Sequence, residues 1–244
     1  GRESMKKATA LLLIVLFSMP AFAAPVTTDL VGKNRVAVGV ETDFVIDRDL
    51  KVTLKGYDFA GIGSAKVQQY RATLGYGVTE NVTVTAKAGS ASLKFDELDF
   101  GQNPSVGLDV LAKLWEWHGW ELLANGSASG LIGLTATDPD FKYDADWMEY
   151  QVAGMVAKDF MLWGYPVRPY GGLVYSHLDA DTEMEVNTDT FVFNERLTVN
   201  TTNRHKLGFV AGASAQVWKD MSVKVQGRFG RDEKAVTASG VWRI

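Results

Sequence analysis

The chain has 244 residues, a net charge of −4, 46% hydrophobic residues and no cysteine. The acidic balance argues against a nucleic-acid partner, whose phosphates ask for a basic face. The absence of cysteine excludes a disulfide-stapled scaffold, so a chain of this length must hold itself together by burial and hydrogen bonding.

In chain order, residues 1–4 precede Met5 and read as an upstream remnant. Met5, Lys6 and Lys7 then open a cationic segment, residues 8–20 form an apolar core, and Ala21, Phe22 and Ala23 give a small-x-small cleavage site. This pattern predicts a secretory signal peptide over 5–23, cleaved before Ala24. Its 13-residue apolar run is too short for a spanning helix, which needs about 20. The first 23 residues hold Arg2, Lys6, Lys7 and Glu3, so the remainder carries −6. Residues 24–34 are expected to be a periplasmic N-terminal segment and 35–244 a single β domain.

From there the chain alternates apolar and polar residues with a period of two. The stretch "LGYGVTENVTVTAKAG" at 74–89 shows it best: Val82, Val84, Ala86 and Ala88 on one face, Thr83, Thr85 and Lys87 on the other. The predicted strands are 35–46, 67–77, 81–93, 105–117, 120–131, 147–158, 165–178, 204–217, 221–230 and 235–244. The connections at 77–80, 118–119, 163–166 and 219–220 are short, whereas those at 94–104, 132–146 and 179–204 are long. The region 47–66 is expected to be external, with a β extension at 50–57. Tight turns at one end and long loops at the other describe a closed antiparallel transmembrane β-barrel of the outer membrane. The parity of such barrels favours ten strands, with twelve as the fallback.

Aromatic placement supports the same fold. Six of the seven tryptophans, Trp115, Trp117, Trp120, Trp163, Trp218 and Trp242, fall beside short turns or the C-terminus. Phe95, Phe100, Tyr143, Trp147 and Tyr175 fall at the opposite end and are expected to form the second interfacial band. In hydrocarbon a closed barrel pairs every backbone amide internally, which replaces the missing disulfides.

The stretch 74–89, with Tyr76 and Gly77 before its turn and Lys87, Ala88 and Gly89 after it, resembles the hairpins of bacterial outer-membrane β-barrel proteins of the small porin-like kind. Residues 35–50 resemble the first strand of such barrels. The resemblance implies a location in the bacterial outer membrane and contact with its lipid and lipopolysaccharide. It also implies passage through the barrel-assembly machinery, which reads a C-terminal aromatic; here Trp242 stands two residues before the final Ile244.

The inward-facing candidates, by strand parity, are Glu41, Arg71, Lys87, Asp109, Lys113, Glu121, Glu149, Lys206, Lys224 and Arg228. Asp43, Arg168, Gln226 and Arg243 join them. A ten-stranded barrel lies close to the size that side chains fill, so these charges either pair and plug the bore or line a narrow pore. Acidic residues cluster in the long loops: Asp96, Glu97 and Asp99; Asp138, Asp140, Asp144 and Asp146; Asp179, Asp181, Glu183 and Glu185. Their spacing lacks the pattern of a calcium loop, which favours a solvated surface over a metal site. No catalytic set, cofactor or metal centre is predicted. His177 precedes Asp179 and Asp181 in the reverse of the omptin protease order, and adjacent Ser176 and His177 point to opposite faces. The expected role is therefore non-enzymatic, structural or porin-like, with at most small-solute passage. Alternatives are a surface-binding barrel acting through a hairpin arm at 182–202 on an extracellular ligand of unspecified identity, and third a barrel protease or lipid-modifying enzyme.

Overall fold

The computed structural model describes residues 30–54, 60–96, 98–137, 141–186, 197–203, 206–231 and 233–244. The signal-peptide region lies outside these, as do Glu97, Asp138 and Asp140 of the acidic loops and the centre of the 182–202 arm.

Among the described residues twelve strands form: β1 (Val36–Leu54), β2 (Ala60–Thr79), β3 (Val82–Phe95), β4 (Leu98–Trp117), β5 (Trp120–Thr137), β6 (Phe141–Lys158), β7 (Phe160–Leu162), β8 (Tyr165–Val186), β9 (Leu197–Asn203), β10 (Leu207–Trp218), β11 (Met221–Gly230) and β12 (Glu233–Arg243). Ten of them make a closed antiparallel ring in the order β1–β2–β3–β4–β5–β6–β8–β10–β11–β12, which returns to β1. These ten are the ten the alternation predicts. The other two are short: β7 pairs with β8 across the tight turn at Trp163 and Gly164, and β9 pairs with β8 and β1 beyond the ring.

Strand β6 shows why this sheet is a membrane wall. From Met148 to Val156 its outward residues Met148, Tyr150, Val152 and Val156 are exposed and apolar, while inward Glu149 and Gln151 are buried. Nine residues at about 3.3 Å each, tilted near 40°, cover roughly 20–25 Å, close to the apolar band of an outer-membrane barrel. Above Met148 the pattern inverts. Asp144 and Asp146 now face outward, and Tyr143, Ala145 and Trp147 turn inward. The change of phase marks the level at which hydrocarbon gives way to water.

Water above that level explains the long connections. They are largely sheet: β1 and β2 run on past the belt, and β3–β4, β5–β6 and β8–β9 are hairpins standing above it. They form a collar around an apolar core of Leu50, Leu93, Leu131, Leu134, Trp147, Leu178 and their neighbours. The collar has eight strands, because β9 bonds directly to β1 from Leu50↔Asn203 upward, whereas β12 leaves β1 at Arg48↔Glu233. The β11–β12 hairpin is thus a wedge inserted below the fork. The collar is unzipped between β4 and β5 above Ser105↔Leu131.

One sequence expectation is corrected here. Phe100, Tyr143 and Trp147 do not form the upper interfacial band but are buried in the collar core, and Phe95 packs against it. An aromatic ring beyond the membrane gains more from burial than from display to water. Tyr175 faces outward at that level as expected, joined by Tyr70, Tyr150, Phe209 and Phe229, with Phe44 edge-to-face on Tyr70 at 5.4 Å. The lower band is as expected: Trp115, Trp117, Trp120, Trp163, Trp218 and Trp242 are all exposed, from 45% to 89%. Trp115 stacks on Trp117, and the Lys158 ammonium lies 4.9 Å from the Trp120 ring.

The belt assigns different tolerances to neighbouring outward positions. Val152→Arg, in mid-belt, should destabilise the refolded barrel by about 2–4 kcal/mol, and Asp146→Arg, above it, by no more than about 0.5 kcal/mol. Urea unfolding in lipid vesicles measures both.

Candidate functional site

The interior of the ring is where the sequence places charge, and the structure resolves that charge into three groups at different heights. Polar residues alternate inward because the apolar ones are needed outside, so parity alone carries Glu41, Arg71, Lys87, Asp109, Glu149, Lys224 and Arg228 into the bore, where all seven are buried.

The first group lies on β1–β4. Arg71 donates from Nε to Glu41 Oε1 at 3.1 Å and from Nη2 to Asp43 Oδ2 at 3.3 Å. The Lys87 ammonium reaches Glu41 Oε2 at 3.1 Å and Asp109 Oδ2 at 2.5 Å. Lys224, buried on β11, borders the same cavity as Glu41 and Lys87. These partners sit on the same or nearby strands and coat one wall.

The second group crosses the bore. Arg48 on β1 donates from Nη2 to Glu149 Oε1 on β6 at 2.8 Å, and to Glu233 Oε1 on β12 at 2.9 Å. Five steps around a ring of ten separate β1 from β6, so this pair spans a diameter. Arg228 on β11 also bonds Glu233 and approaches Glu149 at 3.6 Å. Gln151 braces Glu149 from below at 2.9 Å, and Tyr170 bonds Gln226 across two strand gaps at 2.9 Å.

The third group lies at the periplasmic mouth and is half exposed. Lys113 bonds Glu116 at 2.8 Å and Glu121 at 3.4 Å, and Arg168 bonds Glu121. The Lys113 contact holds the Glu116 carboxyl below its usual range. Lys206 stands at the upper end, half-buried, where its carbonyl accepts from the Ser176 amide at 2.8 Å. Arg243, partly exposed, donates its backbone amide to Asp220 at 2.7 Å.

Together the two inner groups place Arg48, Arg71, Lys87, Lys224 and Arg228 opposite Glu41, Asp43, Asp109, Glu149 and Glu233. Five cations face five carboxylates, the balance a low-dielectric interior requires, since an unpaired charge there is expensive. A cavity of about 40 Å3 is bordered by Glu41, Lys87, Lys224 and Ser239, and one of about 10 Å3 lies beside Lys206, Arg228 and Glu233.

Sequence reasoning missed Arg48 and Glu233, the two residues that anchor the crossing. Both were assigned to connections. A bulge between Val45 and Arg48 also shifts parity, so that Arg48 and Leu50 point inward where simple alternation points Asp47. The readable signal was the phase of the apolar residues, which changes from Val45 to Leu50.

The other candidate residues are not brought together. Ser176 faces inward and His177 outward beside Tyr150. Asp96 Oδ1 accepts from the Ser64 amide, and Asp99 pairs with Lys94 at 2.8 Å, which holds its carboxyl below the usual range. Asn200 bridges Asp179 and Asp181, and Lys142 bonds Asp144. Among the described residues, no three carboxylate or imidazole side chains converge as metal ligands would.

No protein-family model and no curated protein matches the sequence. Solved structures with a similar chain course include the translocator domain of the autotransporter NalP from Neisseria meningitidis, at 12% identity over 87% of this chain and 88% of that one, TM-score 0.45. The outer membrane protease OmpT from Escherichia coli is 6% identical over 91% and 96%, TM-score 0.45. The outer membrane protein OprG from Pseudomonas aeruginosa is 11% identical over 88% and 99%, TM-score 0.43. These likenesses, all below a TM-score of 0.5, assign no residue a role here.

Removing one member of the crossing leaves the others without balance. Glu149→Ala should lower stability by about 3–5 kcal/mol, because Arg48 and Arg228 are left with Glu233 alone. Arg48→Met combined with Glu149→Met restores one cation to one carboxylate and should recover part of the loss. Denaturant midpoints at unchanged m report both.

Proposed function

We propose that the protein is an integral outer-membrane barrel with a shut bore, non-enzymatic, whose role is structural: a rigid wall that carries a folded collar on the extracellular side. The carrying observation is the Arg48–Glu149 pair across a diameter of the ring. A cation and carboxylates bonded across the bore at that level narrow it to the gaps between paired side chains. Passage of solutes is then limited to what slips between paired charges. The apolar belt and its two aromatic bands support residence in the outer membrane, with lipid and lipopolysaccharide as surroundings. The leader at 5–23 supports export, and Trp242 near the C-terminus supports delivery through the barrel-assembly machinery.

A second reading, contact with an extracellular partner, is favoured by the collar. A mere shield needs no core, yet this one buries Phe100, Tyr143 and Trp147. A surface so braced can hold an epitope in fixed shape.

In planar bilayers the refolded protein should stay electrically silent, with folding verified by heat-modifiable gel mobility. Steady single-channel openings of the unmodified protein would overturn the shut-bore reading. Trimming 187–196 should leave that silence and that mobility unchanged.

A further inference from the structure

The residues just before the first strand do not hang free below the barrel. Val31 is buried, and its amide donates to Thr83 Oγ1 inside the mouth at 3.0 Å. Leu30 packs against the lower apolar lining built from Leu111, Leu123, Met155, Tyr170 and Val210. Gly32 and Asn34 adopt left-handed backbone, with φ of 85° and 59°, which folds the segment back up into the opening instead of away from it. Asn34 donates its amide to the Gly77 carbonyl at 2.8 Å, and Gly77 returns a bond to the Arg35 carbonyl at 3.0 Å.

The fit at Gly77 is close: a Cβ there would lie 1.6 Å from the Gly32 carbonyl oxygen. Directly above Val31 is the cavity of about 40 Å3 that reaches Glu41, Thr85 and Lys87. We propose that residues 30–34 are a removable cork, which closes the periplasmic mouth and separates this charged chamber from the periplasm.

Its attachment has the character of a stopper. Apart from the turn bond between Arg35 and Gly32, the backbone bonds at 31–35 go to Gly77 and Thr83, at one hairpin, and the segment belongs to no ladder. Lys33, Asn34 and Arg35 are exposed. A piece with few buried contacts and no cooperative pairing opens at far lower free energy than the ring that holds it. Leu30 and Val31 are the two apolar side chains that fill the opening, so replacing them removes the cork without touching the wall. The inference is independent of whether the bore above conducts, since it concerns only the lower chamber.

The chain has no cysteine, so a single introduced thiol reports access. Thr85→Cys places one in the chamber wall. In vesicles with the periplasmic end accessible, a small membrane-impermeant methanethiosulfonate should modify it slowly. The same thiol in a Leu30→Asp, Val31→Asp background should react at least tenfold faster, with heat-modifiable mobility retained. Gly77→Val, which displaces Gly32 from the barrel side, should do likewise and serves if the double variant folds poorly. Rapid labelling of the Thr85→Cys protein alone, or an unchanged rate in either folded variant, would overturn the cork. Conductance is not part of the readout, so failure here leaves the shut-bore reading standing, and the reverse.

Discussion

A backbone amide in hydrocarbon has no water to bond with, and the rest of this molecule follows from that. The sheet must close, which it does where β12 meets β1 and β8 meets β10. Once it closes, lipid takes the apolar side chains and the polar ones are left for the inside. A ring of ten lies close to the size that side chains fill, and charges buried there are stabilised by finding one another. Pairing along neighbouring strands links Arg71 and Lys87 to Glu41, Asp43 and Asp109. Pairing across the ring joins Arg48 to Glu149.

The collar obeys the opposite rule with the same strands. Beyond the headgroups water solvates both the backbone edges and the outward side chains, so apolar residues retreat inward and the sheet becomes an ordinary soluble one. Leu134 and Leu178 are fully buried there, while Leu207 and Phe209, on the belt, are 70% and 66% exposed. One strand thus carries two solvents' worth of patterning, joined at a phase change between Trp147 and Met148.

That double patterning also sets how much the sequence disclosed. Within the belt, alternation, turn length and the tryptophans are locally consistent, and the ten strands are legible from them. Parity then places Glu41, Lys87 or Arg228 without further information. Legibility fails where the phase changes: Phe100, Tyr143 and Trp147 look like interfacial aromatics only to a reader who takes the membrane to extend that far. It fails again at the bulge after Val45, since an extra residue reverses every subsequent orientation on that strand. Arg48 was hidden for this reason, and Glu233 because it falls between the strands predicted at 221–230 and 235–244. The tucked segment at 30–34 was hidden for another, because its place depends on two left-handed residues and on a gap beside Gly77, neither of which leaves a periodic trace.

The fork above the β11–β12 hairpin shows how circumference is set in such a wall. β9 and β10 pair with β8 in registers that differ by one residue, as Asp179↔Thr202 and Tyr175↔Leu207 indicate. On its other edge β9 already faces β1, in the antiparallel sense that β10 itself would have toward β1. The hairpin is therefore a gusset sewn into a sleeve: it widens the lower part by two strands and leaves every other seam as it was. Because a hairpin goes out and comes back, such an insertion never disturbs the direction of its neighbours. Girth can be altered at one seam, in steps of two, without redrawing the garment.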